Sequence, residues 1–253
     1  AASIVGELES PLFAARPGVW DRGVAVRVRL ANGNLSSASL EDVLNGANIA
    51  AVGNGDGANW EVVQFADANL VAPDQWDISM RLRGQVGTEA GMPEDWPVGS
   101  LFVLLNGLPQ QIDLASSARG LARHYRVGPA GRGYDDASYT YRYLAFDGIG
   151  LRPYAPSHLR ATRSGGDLEL SWIRRTRIDG DSWQGTDVPL GEDSESYLIQ
   201  VRDTTGLRRT DTSSVMIWNY TAAMRANDGV NTPYTIDVAQ ISERFGPGPF
   251  TRI

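Results

Sequence analysis

The feature that most constrains this chain is a short-range alternation of apolar and polar residues. In VAVRVRL, residues 24–30, four apolar residues occupy alternate positions, and Arg27 and Arg29 lie between them. A period of two places the apolar residues on one face of a half-buried strand and the arginines on the other. The sequence ANGN follows at 31–34 and favours a tight turn, because Asn and Gly tolerate positive φ. We therefore expect a strand that ends in a tight turn.

The same alternation recurs along the first part of the chain. Further predicted strands are NIAAV (48–52), WEVVQF (60–65), WDISMRL (76–82), LFVLL (101–105), LARHYRV (121–127) and SYTYRYLAF (138–146). The segments between them are rich in glycine, proline, asparagine or aspartate, as turns are. Only SLEDVLNG (39–46) favours a helical turn, with Ser39 as a possible N-cap and Gly46 as a stop. The predicted fold class is all-β.

A composition break at GLRPYAPSHL, residues 150–159, separates two regions. Its two prolines lie three residues apart and favour an extended connector. The strand pattern then restarts in HLRATRS (158–164), DLELSWI (167–173), SYLIQVRD (196–203), SSVMIW (213–218) and YTIDVAQIS (234–242). Several such strands with one inward tryptophan, Trp172, predict a β-sandwich. We expect a β-rich domain over residues 1–152 and a β-sandwich domain over residues 153–253.

Composition excludes several classes of function. The chain has 30 acidic and 23 basic residues, all of the latter arginine, which gives a net charge of −7. An acidic chain argues against a nucleic-acid groove, where a basic stripe is expected. The absence of cysteine excludes disulfides, thiol nucleophiles and thiolate metal sites. The first residues lack the basic and apolar regions of a signal peptide, and no apolar run has the length of a membrane span.

Residues suited to catalysis are few. A Ser–His–Asp system would need His124 or His158, but no serine lies in a nucleophile-elbow motif. We also expect no zinc site built from these histidines and carboxylates. Glu89 and the pair Asp135–Asp136 are the carboxylates available for glycosidase chemistry, yet both stand in sequences typical of turns and solvated loops. We therefore predict a protein that is not an enzyme and has no cofactor.

The stretch SWIRRTRIDGDSW, residues 171–183, opens a long connection between two predicted strands. From Arg174 to Ser196 the connection exceeds the length at which unstructured loops become uncommon unless they are functional. One interpretation is an ordered loop held to its own sandwich by arginine–carboxylate pairs. The other is a contact surface at one end of the sandwich, and both can hold together. The candidate interaction residues are Arg174, Arg177, Asp179, Asp181 and Trp183.

A calcium site in this connection is a further alternative. Counted from Asp179 as the first position, Trp183 and Leu190 fall where an EF-hand loop has its fifth and twelfth ligands, so that motif fails. A looser site built from Asp179, Asp181 and Asp187 stays open, although no metal site is predicted overall.

The tryptophans outside the predicted strands also leave two interpretations open. Trp96 and Trp183 stand in apparent loops, where an aromatic ring can stack on a sugar or anchor an interface. The commoner role of such residues is to cover a local core. If the two rings are exposed together, the chain is a carbohydrate-binding adhesin module. If they are buried, it is a scaffold.

The second region resembles a fibronectin type III domain. Its entry matches the usual start of that domain in Pro153, Ala155, Pro156 and Leu159. LELSW, residues 168–172, matches the second strand with its buried tryptophan. VAQISERFGPG, residues 238–248, resembles the penultimate strand and the glycine-rich turn that follows it. The resemblance implies a fibronectin type III-like β-sandwich.

Both regions together resemble the C-terminal part of host-specificity ("megatron") baseplate proteins of gene transfer agents and related long-tailed phages. The blocks that carry the resemblance are ANIAAVG, WEVVQFADANLV, MRLRGQVGTEAG, LFVLLNG and LSWIRRTRIDGDSW, in that order. The resemblance implies a virion component at a tail tip, often a homotrimer, that contacts other baseplate proteins and the bacterial envelope or its glycans. Such proteins also carry a barrel resembling glycoside hydrolases, so an accessory region of a cell-wall hydrolase is another alternative. Such a barrel requires strands that alternate with long helices, and this sequence does not show that pattern.

Overall fold

The computed structural model describes residues 3–55, 59–107, 109–180 and 187–253. Contacts between residues divide the chain into two compact units, Ala1–Gly148 and Ile149–Ile253. Each unit is described by itself below. The limit near residue 152 as the start of an independently folding domain stays a prediction.

The first unit is built from antiparallel strands. They are β1 (Val5–Leu8), β2 (Leu12–Phe13), β3 (Trp20–Asp21), β4 (Val26–Leu30), β5 (Ile49–Gly53), β6 (Trp60–Ala72), β7 (Gln75–Gln85), β8 (Asp95–Trp96), β9 (Leu101–Leu104), β10 (Arg123–Val127) and β11 (Thr140–Leu144). One α-helix, α1 (Leu40–Leu44), lies between β4 and β5, and 3-10 turns span Thr88–Gly91 and Ser116–Ala118. Ser39 caps α1 as predicted, since its hydroxyl accepts the backbone N–H of Asp42, while Asn45 rather than Gly46 ends the helix.

Six of these strands close into a barrel. The pairing runs β1–β4–β7–β6–β5–β9 and returns to β1, so every strand of the ring is hydrogen-bonded on both sides. Closure of this kind removes exposed sheet edges. The alternate apolar residues of each strand point inward, among them Val28, Val52 and Phe65, which are fully buried. Val24, predicted to share the inward face, is 86% exposed, because β4 begins only at Val26.

The second unit is a β-sandwich. Its strands are β12 (Ser157–Ser164), β13 (Asp167–Ile173), β14 (Tyr197–Asp203), β15 (Gly206–Ser213), β16 (Ile217–Tyr220), β17 (Tyr234–Ser242), β18 (Gly246–Pro247) and β19 (Thr251–Arg252), with a helix α2 (Ala222–Asp228) before β17 and a 3-10 turn at Ile149–Leu151. One sheet has the order β12–β13–β16, and the other contains β15, β14 and β17 with the two short C-terminal strands. This division of strands is that of a fibronectin type III-like domain, as expected.

The core of the sandwich lies between its two sheets. Leu170 and Trp172 of β13 pack in one buried cluster with Tyr197 and Ile199 of β14 and Val238 of β17. The inward position predicted for Trp172 is therefore confirmed. Strand β15 and helix α2 have no counterpart in the sequence-based prediction. The strand was missed because it is an edge strand, and its sequence, GLRRTDTS, lacks a clear apolar alternation. In the part of the chain that the structure describes, no helix has the length and apolar character needed to cross a membrane.

Candidate interaction surface

The long connection between β13 and β14 comprises residues 174–196, of which 174–180 and 187–196 are described. Arg174 lies where the chain leaves β13, and its guanidinium contacts the far end of the connection. Its Nη2 lies 2.8 Å from a carboxylate oxygen of Asp187 and donates to the backbone oxygen of Val188 at 2.7 Å. Its Nη1 lies 3.3 Å from Glu195. Arg174 thus ties the two ends of the connection together.

Glu195 joins this arginine to the sandwich core. Its carboxylate accepts a 2.8 Å hydrogen bond from the hydroxyl of Tyr197, whose ring packs edge-on against Trp172. Burial of the phenol, followed by this hydrogen bond to a carboxylate, raises the pKa of Tyr197 far above its usual value. The pair of Arg174 and Glu195 is therefore anchored on two core aromatic residues.

Arg177 forms the second attachment. Its Nε lies 3.2 Å from Glu192, whose side chain is only 5% exposed, and its guanidinium stands 5.7 Å from the ring centre of Phe245. Arg175, between the two pairing arginines, stands 5.0 Å from the ring centre of Tyr154. An arginine over an aromatic face gains cation–π attraction in addition to its ion pair. The arrangement is the one expected for a connection held by arginine–carboxylate pairs.

The remaining candidate residues divide between described and undescribed parts of the chain. Asp179 is exposed and lies at a turn, with φ of 50°, in the left-handed region. Asp181 and Trp183 lie outside the described residues. Within residues 3–55, 59–107, 109–180 and 187–253, no three His, Cys, Asp or Glu side chains converge as metal ligands would. The looser calcium site, which needs Asp181, stays open.

The side chains considered for catalysis stand in different segments of the chain. His124 is on β10, where its Nδ1 lies 2.6 Å from the hydroxyl of Tyr141. His158 belongs to the other unit, where it is exposed at a bulge of β12 rather than in the connector. Glu89 lies in the 3-10 turn Thr88–Gly91. Asp136 accepts hydrogen bonds from Ser138 and Arg132, which lower its pKa and hold it ionised.

Trp96 has the commoner of its two interpretations, since it covers a core and is not an exposed aromatic. It lies on β8, is 4% exposed, and donates from Nε1 to Glu61 at 2.7 Å. Its backbone pairs with Leu12 of β2, so a two-residue bridge brings the EDWP segment onto the barrel core. A sugar platform that needs Trp96 is therefore excluded.

Sequence analysis missed a buried charged cluster around this tryptophan. Glu61 accepts from Arg83 through both carboxylate oxygens, from the backbone N–H of Gly84, and from Trp96. Arg81, 2% exposed, pairs with Asp21 at 2.9 Å nearby. The sequence carries no signal of this burial, because Arg81 and Arg83 alternate with Met80 and Leu82 and stand where solvent-facing residues are expected. Because every donor and acceptor named here is paired with protein, the cluster stabilises the barrel.

The strands of the barrel lie in the part of the chain that matches a family model. Residues 3–103 match the family model described as Rcc01698-like, C-terminal. The matched range contains all six strands of the ring except the last residue of β9. It covers less than half of the chain, and the sandwich lies outside it. Residues 3–103 of the first unit are therefore similar to this family over the length of the barrel.

Among solved structures, the chain is similar to domains d3–d4 of the rat CD45 extracellular region, with 11% identity and a TM-score of 0.29 over 59% of this chain and 70% of that one. A comparison with curated proteins found no match.

Proposed function

We propose that this chain is a structural and binding component of the tail tip, or baseplate, of a phage-like particle, and that it helps the particle contact or penetrate the host envelope. The observation that carries the proposal is the match of residues 3–103 to the Rcc01698-like C-terminal family. Rcc01698 is a gene transfer agent protein from Rhodobacter capsulatus. The proposed location is accordingly the virion, with other baseplate proteins as neighbours and a homotrimer as the assembled form.

The β13–β14 connection is the proposed contact surface. The ion pairs of Arg174 and Arg177 hold its two described parts against the sandwich, and Asp179 stands exposed between those anchors. A surface that is ordered before binding loses less conformational entropy when its partner arrives. Loops at the end of a sandwich are the usual place for such contacts. The arginines are thus positioning residues, and Asp179 with Trp183 would meet the partner.

The test is a double change, Asp179→Ala with Trp183→Ala, introduced into the particle. We expect the purified chain to keep its fold by circular dichroism while particle assembly or DNA delivery is impaired. The control is Glu243→Ala with Phe250→Ala, which also removes an exposed carboxylate and an aromatic ring from the sandwich. Normal DNA delivery by particles with the Asp179/Trp183 change would rule out the contact role. The connection would then be only an ordered loop that its ion pairs hold to the sandwich.

We also propose that the chain works by binding and without catalysis. Glu89 lies in a turn beside β7, and Asp136 is held in its ionised form, which is unsuited to a general acid. Purified protein is expected to release no product from peptidoglycan or other envelope polymers. Product release that is lost on Glu89→Ala or Asp136→Ala would contradict this. The carbohydrate-binding alternative is weakened by the burial of Trp96.

A further inference from the structure

The segment 119–146 forms a hairpin, here called the arm. Its strands β10 and β11 pair with each other over five residue pairs, and among the described residues neither joins another sheet. A bridge between Arg119 and Phe146 closes its base. All ten strand residues except Tyr125 are exposed. A lone two-stranded hairpin is marginally stable in water, so a partner that covers it would stabilise it.

Side chains of the arm keep its shape without a partner. On one face the ring of His124 stands 4.7 Å from that of Tyr143 and 5.8 Å from that of Tyr141, measured between centres. At the tip, Tyr139 packs over Gly128, where an added Cβ would lie 2.5 Å from the ring. The Tyr139 hydroxyl donates to the backbone oxygen of Pro129 at 2.9 Å. The arm is therefore pre-organised for contact.

The other face of the arm has the composition of a protein interface. By register, residues Arg123, Tyr125 and Val127 share this face with Arg142 and Leu144. Val127 is 65% exposed and Leu144 41%. Interface cores are enriched in tyrosine and arginine and depleted in lysine, aspartate and glutamate. The two strands contain three arginines and no acid, in a chain whose acids outnumber its arginines 30 to 23.

The same chain offers a surface of opposite charge on α1. Leu40 and Leu44, four residues apart, lie on one side of the helix and are 44% and 68% exposed. Glu41 is also exposed and lies beside this pair on the helix, whereas Asp42 lies on the opposite side. Val43 is fully buried, which holds the helix on the barrel. This surface presents two apolar side chains beside one carboxylate, and we call it the α1 surface.

We propose that the arm of one copy of this chain binds the α1 surface of a second copy. Leu144 and Val127 would pack on Leu40 and Leu44, while the guanidinium of Arg123 or Arg142 pairs with Glu41. Each copy then uses two different surfaces, one for each neighbour. Such a head-to-tail contact closes into a ring when its rotation permits. The inference does not depend on the tail-tip function.

The test uses two variants of the full chain. The arm variant carries Arg123→Glu with Arg142→Glu, and the α1 variant carries Glu41→Gln with Leu44→Gln, so that the two altered surfaces do not attract each other. All four positions are exposed, so both proteins are expected to fold, as checked by circular dichroism. Wild-type protein is expected to self-associate in low salt by light scattering after size exclusion, and each variant to be monomeric. A control with Arg160→Glu and Arg163→Glu, exposed on β12, should associate as wild type does.

Mixing the two variants distinguishes this contact from others. An equimolar mixture retains one intact arm and one intact α1 surface, so it should form a one-to-one dimer and stop there. The proposal is overturned if wild-type protein stays monomeric up to the highest concentration reached. It is equally overturned if the mixture stays monomeric, as it would if the arm bound an anionic polymer instead. Association of the α1 variant by itself would also overturn it, because that variant keeps an intact arm and would associate only if arms bound each other.

Discussion

The guanidinium of Arg83 and the carboxylate of Glu61 form a two-pronged ion pair inside the barrel, with both N–O distances 2.8 Å and both side chains fully buried. The two residues lie on β7 and β6, where β6 begins and β7 ends. Arg83 also donates to the backbone oxygen of Phe13, and Glu61 accepts a hydrogen bond from the indole N–H of Trp96. The pair therefore links the ring strands to the short β2–β8 pair.

Glu61→Ala is expected to lower the free energy of unfolding by about 3–5 kcal/mol, because it leaves the Arg83 charge buried and unpaired. The measurement is urea denaturation followed by tryptophan fluorescence. Arg29→Ala is the control, since its ion pair with Glu9 is 56% and 24% exposed and should contribute only about 0–1 kcal/mol. Equal losses in the two variants would show that the buried pair has no special role in stability.

Arg177→Ala is expected to destabilise the sandwich by about 1–3 kcal/mol, the usual range for hydrogen bonds to charged groups. Glu192, at 5% exposure, would lose its partner in a place that water reaches poorly. Arg244→Ala provides the comparison, because its pair with Asp193 is 71% and 51% exposed and should contribute about 0–1 kcal/mol. Denaturant midpoints of the two variants measure the difference. If they agree, Arg177 does not anchor the connection.

Asp203 should make stability depend on pH. Hydrogen bonds from the hydroxyl of Thr205 and the backbone N–H of Asn231, together with Arg208, hold its pKa well below the usual range. This contribution is complete above a pH of about 4, where an unfolded aspartate is ionised, and fades as the pH falls toward the folded pKa. Asp203→Asn should therefore lower the melting temperature at neutral pH and less so in acid. A difference that is constant from pH 7 to pH 2 would contradict this.

Residues 153–253 are expected to fold when expressed alone, because both sheets and the buried cluster between them lie within this range. The fragment should unfold cooperatively on heating and show near-UV circular dichroism from its core aromatics, Trp172 and Tyr197. A fragment without a near-UV signal would show that the sandwich needs the rest of the chain.

The sequence by itself determined where most strands lie and which face of each is buried. YTIDVAQIS predicted a strand at 234–242, and the structure has β17 over Tyr234–Ser242. Leu168, Leu170 and Trp172 occupy alternate positions of DLELSWI and are buried together. These inferences succeed because alternation and turn chemistry act between near neighbours in the chain. The arginine-rich start of the β13–β14 connection could also be recognised in the sequence, because its charged residues are close neighbours in the chain.

Only the tertiary structure decided which distant groups meet. Trp96 was expected in a loop, with exposure and burial both left open, and the pairing of β8 with β2 carries it to Glu61, 35 residues away, where both are buried. Glu61 and Arg83 look like solvent-facing charges in isolation, and each is stable inside the barrel only because the other is there. Ring closure and the choice of ion-pair partners depend on contacts that no local pattern encodes. The physical reason is that burial of a single charge is unfavourable, whereas burial of a paired charge is tolerable. Whether a given charge is buried therefore depends on the partner that the fold brings to it.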